Sequence, residues 1–165
     1  MEKNILFGES QLGLKNWVIS SVTFFIAIPV NAYLLYEMVQ INPPESYHLL
    51  GTIIFVIIVA LFLASMKLKV TVLEETVTYR LSPFHFSTQT ISKDDIIKIE
   101  NVVYNPIGEW GGWGIRYNFR GDKAYTMYGN KGVQITLKSG KIVLFGSQKP
   151  DELYNSIITN TNLSD

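Results

Sequence analysis

The side chains that ordinarily carry catalysis are thinly spread in this sequence. Its two histidines, His48 and His85, stand 37 residues apart, and there is no cysteine. The missing thiol removes disulfides, thiolate metal sites, CxxC redox chemistry and a cysteine nucleophile together. The pairs Glu74-Glu75 and Asp94-Asp95 could suggest acid–base work, but adjacent residues on a strand or turn point in different directions. Solvated turns are the simpler reading of both pairs. No nucleophile, base and orienting group occur together, so the sequence predicts neither an enzyme nor a cofactor or metal site.

One segment is chemically unusual. Gly108-Glu109-Trp110-Gly111-Gly112-Trp113-Gly114 places four glycines and two tryptophans in seven positions. The glycines cost backbone entropy, and the tryptophans bring large apolar surfaces that must be accommodated. The segment reads either as a β-bulge or irregular loop whose tryptophans pack on the domain or a lipid interface, or as a binding loop. For the second reading, Arg116, Arg120, Lys123 and Lys131 lie within 16 residues and could receive a phosphate or an anionic lipid head group beside exposed glycine amides. Glu109 and Asp122 dilute that charge. The stretch from Gly121 to Gly132 lacks the Lys-Ser or Lys-Thr at a helix start that a P-loop needs. Candidate ligand or partner residues are therefore Trp110, Trp113, Arg116, Arg120, Lys123 and Lys131.

The chain has 165 residues, and 14 Lys+Arg against 14 Asp+Glu give zero formal charge, which leaves nucleic acid without its main electrostatic attraction. Hydrophobic residues at 47% and charged ones at 17% exclude extensive disorder and leave an apolar excess to be located. It lies in two uncharged runs, Trp17 to Tyr36 and Leu49 to Met66, which as helices would be about 30 and 27 Å long. They predict a two-helix transmembrane hairpin over residues 17–66. Glu2 and Glu9 ahead of the first run, and no small-x-small site after it, argue against a cleaved signal peptide. Lys15 before the hairpin and Lys67 and Lys69 after it, with no Lys or Arg from Glu37 to His48, predict a two-span cell-membrane protein with both termini cytoplasmic.

From Lys67 onward the pattern alternates and is rich in Val, Ile, Thr and Tyr between glycine-containing breaks, as a small β domain requires. The clearest hairpin turns at Ser139-Gly140 between Val133 and Phe145, and a second is expected between Leu68 to Leu73 and Thr76 to Leu81. Further strands are expected around Phe86 to Ile91, Ile96 to Tyr104, Gly114 to Phe119 and Ala124 to Tyr128, making about seven in one sandwich or barrel. Pro150, Asp151 and Glu152 mark the start of a terminal helix that places Leu153, Tyr154, Ile157 and Ile158 on one side.

The order of strands and helix, with the segments Ile91 to Ile96, Gly111 to Arg116, Gly129 to Val133 and Gly146 to Pro150, resembles the bacterial pleckstrin-homology-like domains attached to a two-helix membrane hairpin. That resemblance implies an α+β organisation without a reaction: segment 1–16, hairpin 17–66 with spans 17–36 and 49–66, PH-like domain 67–159 and tail 160–165. The function expected is a non-enzymatic integral membrane protein presenting a cytoplasmic module for protein partners or its own copies. Anionic-lipid binding by the same module and a small transport or channel subunit are the competing expectations. The bilayer, a protein partner or homo-oligomer, and anionic lipid are the expected partners.

Overall fold

The computed structural model describes residues 4–13, 29, 30, 32, 33, 36, 46–159 and 161. The chain forms two compact units, one of Met1–Leu12 with Lys67–Asp165, the other of Gly13–Met66.

The expected membrane hairpin requires correction. The described part of the second unit contains helix α1, Ser46–Ser65, of 20 residues. Among the described residues no helix is long and apolar enough to cross a membrane. Polar Ser46, Tyr47 and His48 occupy the first turn of α1, and Gly51 and Thr52 interrupt the second. The unbroken apolar run Ile53 to Ala64 is only about 18 Å long, well short of a hydrocarbon core of about 30 Å. The structure therefore supports neither the two-span assignment nor the cell-membrane placement and cytoplasmic termini derived from it. The first expected span lies outside the described residues except for Pro29, Val30, Ala32, Tyr33 and Tyr36, as do residues 37–45 of the expected outer loop. His48, expected in that loop, belongs to α1.

Among the described residues the first unit has nine strands in two sheets, not about seven, so what is described is mostly β rather than α+β with a helical hairpin. Sheet 1 has the order β1-β2-β3-β4: Ile5–Leu12, Lys67–Leu73, Thr76–Ser82 and Gln89–Ser92. Sheet 2 contains β5 (Ile96–Val103), β6 (Gly114–Tyr117), β7 (Lys123–Thr126), β8 (Lys131–Leu137) and β9 (Ile142–Gly146), in the order β5-β8-β9-β7-β6. All pairings are antiparallel except β7 with β9. Strand β1 comes from residues 1–16, which the sequence placed ahead of the hairpin and outside the β domain. Residues 13–66 are thus inserted between two hydrogen-bonded neighbours, with Leu12 opposite Lys67.

Alternation explains sheet 1. Leu68, Val70 and Val72 are buried while Lys67 and Lys69 face solvent, and Val77, Tyr79 and Leu81 repeat the pattern on β3. Sheet 2 contributes Ile99, Tyr125, Val133, Ile135 and Phe145 to the core. Between β5 and β6 lies the short helix α2, Pro106–Trp110. Helix α3, Pro150–Ile158, buries Leu153 and Ile157 and packs on β5 and β8 of one sheet and on β1 and β2 of the other.

Candidate functional site

The glycine–tryptophan segment is a capped helical turn followed by an edge strand. The Asn105 side chain accepts a hydrogen bond from Gly108 N at 3.0 Å, and Pro106 occupies the first helical position. Gly111 ends α2 at φ 69°, a left-handed conformation that a side chain disfavours. Trp110 packs against the buried cluster of Tyr104, Ala124 and Leu144. Trp113 Nε1 donates to Gly129 O at 2.9 Å. Both tryptophans thereby fasten the segment to sheet 2.

The four cations of the sequence-derived set divide between two ends of that sheet. Arg116 is exposed on β6 opposite Ala124, and its guanidinium lies against Gly112. Arg120 is in the β6–β7 turn, where its N–H donates to Asn118 Oδ1 at 2.9 Å. Lys123 faces Tyr117 across the strands, with Nζ 5.5 Å from the ring centroid. Lys131 starts β8 and accepts a backbone bond from Ser147 N at 3.0 Å, beside the end of β9, whereas Lys123 pairs near its beginning. The geometry therefore does not gather Arg116, Arg120, Lys123 and Lys131 around one phosphate.

A different constellation forms where the β3–β4 loop meets β7. Arg80 Nε donates to His85 O at 3.2 Å, and the His85 ring accepts the Leu81 N–H at Nδ1, 3.3 Å away. That ring lies 5.5 Å from Tyr125 and 5.9 Å from Tyr79, centroid to centroid. Burial, with Lys123 adding repulsion, holds the imidazole below its ordinary pKa. The loop is thus tied down at His85, while Phe86 remains 94% exposed. In the neighbouring β6–β7 turn Phe119 is fully exposed at 112%. Asp122, the acid of that turn, is directed inward: Oδ1 accepts from Ile142 N at 2.8 Å and Oδ2 from Asn118 Nδ2 at 2.7 Å. Sequence reading set His85 aside because it lacked a second histidine; the Phe-His-Phe triplet at 84–86 was the available signal.

The second constellation absent from the sequence reading joins the chain ends. On β1, Gln11 is 2% exposed and its Nε2 donates to Gly146 O at 2.8 Å and to Glu9 Oε1 at 3.1 Å. Glu9 also accepts from Ser147 Oγ and from Gln148 N at 2.9 Å. Tyr104 Oη and the methyl carbon of Thr126 both lie against Gly146. Burial pushes the Tyr104 phenol up to about 12, with the Thr126 hydroxyl acting in the opposite direction. Gln11, Glu9, Gly146 and Ser147 hold the two sheets together. Among the described residues no three His, Cys, Asp or Glu side chains come together as a metal site.

No family model, curated protein or solved structure matches this chain.

Proposed function

We propose that the chain is a non-enzymatic binding protein whose β unit is an interaction module. The observation that carries this reading is the pair of aromatic loop tips, Phe86 and Phe119, held almost wholly in solvent next to a tied-down His85 and a Lys123 that faces Tyr117. A phenylalanine left in water forgoes roughly 2 kcal/mol of burial, and contact with a partner recovers it. The titratable groups with displaced pKa values support the same conclusion. Tyr104, Tyr125 and Lys93 are shifted chiefly by burial and lie in packed or bonded positions.

The test uses the full chain with a photoreactive benzophenone side chain replacing Phe86 or Phe119, irradiated in intact cells. A discrete adduct at both positions, absent when the same group replaces Ser139 or Asp151, supports the module. Adduct formation no greater than at those controls overturns it.

A further inference from the structure

Charge identifies the kind of partner. Lys69 on β2 stands directly opposite Arg80 on β3, and both are exposed. Like charges facing each other across a sheet are unfavourable, so an uncompensated pair at this position calls for an external counter-charge. Arg120 is beside Phe119, and Lys123 joins the two loops through Tyr117 and its influence on His85. Among the described residues, ion pairs form between Lys98 and Glu100 and between Lys149 and Glu152, and none includes these four cations. The nearby carboxylate of Asp122 is buried and occupied by its own hydrogen bonds. Acidic Glu74 and Glu75 lie at the other end of sheet 1, where Thr76 pairs with Ser92. Lys69, Arg80, Arg120 and Lys123 thus flank the two loops that carry Phe86 and Phe119, and among the described residues none of them has an acidic partner.

We propose that this corner rests on an anionic lipid surface, with Phe86 and Phe119 entering the head-group layer and Lys69, Arg80, Arg120 and Lys123 facing lipid phosphates and carboxylates. The inference rests on the interaction-module reading and names its partner. Aromatic rings suit the amphipathic boundary of a bilayer, and cations around them are attracted by its negative potential. Contact of this kind is made from one side and needs no spanning helix.

The absence of native cysteine permits a test on the full chain that is specific to this corner. A polarity-sensitive fluorophore is attached through Ser87→Cys, with Ser139→Cys as the control position. Titration with vesicles of phosphatidylserine and phosphatidylcholine should raise and blue-shift emission at position 87, and pure phosphatidylcholine should not. Lys69→Gln with Arg80→Gln should raise the lipid concentration for half-saturation roughly tenfold or more, as should moderate salt. Phe86→Ser with Phe119→Ser should do the same without lowering the melting temperature. Silence at position 87 over the whole anionic titration overturns the lipid assignment, as does a response equal on neutral vesicles and unchanged by these substitutions. A silent fluorophore with a discrete protein adduct in the benzophenone experiment rejects lipid and retains the module; a silent fluorophore with no adduct rejects both.

Discussion

Replacing Gln11 by methionine would test whether the first strand is essential to the β unit. Methionine preserves most of the volume and removes both Nε2 hydrogen bonds, the 2.8 Å bond to Gly146 O and the 3.1 Å bond to Glu9. Losing the first costs about 1 kcal/mol and leaves a buried carbonyl short of a donor, worth about another 1 kcal/mol. Losing the second, whose acceptor is charged, adds about 1.5 kcal/mol. Gln11 Oε1 is itself buried without a partner, so its removal returns about 1 kcal/mol. The expected net loss is about 2 to 3 kcal/mol, rising to about 4 kcal/mol for Gln11→Ala, which also leaves a cavity. Urea unfolding of the full chain followed by tryptophan fluorescence measures both, with the exposed β4 residue Gln89→Met as the reference expected to change by less than about 0.5 kcal/mol. A Gln11→Met protein with the wild-type midpoint, or a higher one, would refute the claim that Gln11 holds the sheets together.

Gly132→Ala should lose about 3 kcal/mol or more, because its new Cβ would collide with the Phe145 carbonyl across the β8–β9 ladder; Gly140→Ala, in open space at φ 77°, should lose only about 1 kcal/mol, and equal shifts in urea midpoint would contradict this contrast. Folding stability should fall as pH drops from near the unfolded histidine value of 6.5 through the lowered folded value of His85, since the unfolded chain then binds the extra proton more readily. His85→Gln should flatten that part of the pH–stability curve, and an unchanged slope in urea melts between pH 7 and 5 would show that His85 is not its source.

Strands β2 and β3 were legible in the sequence because each places its apolar residues on the core side at the two-residue period, as Leu68, Val70 and Val72 do, while β7 and β9 were legible as short β-rich apolar runs buried on both faces. Strand β1 was not legible because its pattern is inverted: Gln11 is buried while Ile5, Leu6 and Leu12 are exposed, and its hydrogen-bonding partner is more than fifty residues away. The second apolar run, Leu49 to Met66, was read from its length and lack of charge, and neither criterion registered the Gly51-Thr52 interruption or that the helix begins at Ser46. Asn105, Pro106 and Gly111 carried the start and stop signals of α2, but five residues are too few for helical periodicity to announce them. The four cations of the six proposed site residues were grouped by sequence distance, which the sheet order does not preserve. Sheet order moves Lys131 to the other end from Arg120 and Lys123, while His85 joins them through a loop 35 residues upstream of Arg120.

The bond from Gln11 to Gly146 spans 135 positions of chain. At synthesis rates of 5–20 residues per second, the first strand therefore waits roughly 7 to 27 s before the residue that closes over it has been made. Throughout that interval its buried glutamine, its neighbouring glutamate and its single core phenylalanine, Phe7, have no finished sheet 2 to bind. Closure of this strand consequently waits until Gly146 has been made. A nascent chain arrested before Gly146 should present its first strand to proteases or chaperones, and the emergence of Gly146, rather than emergence of the strand itself, sets when that exposure ends.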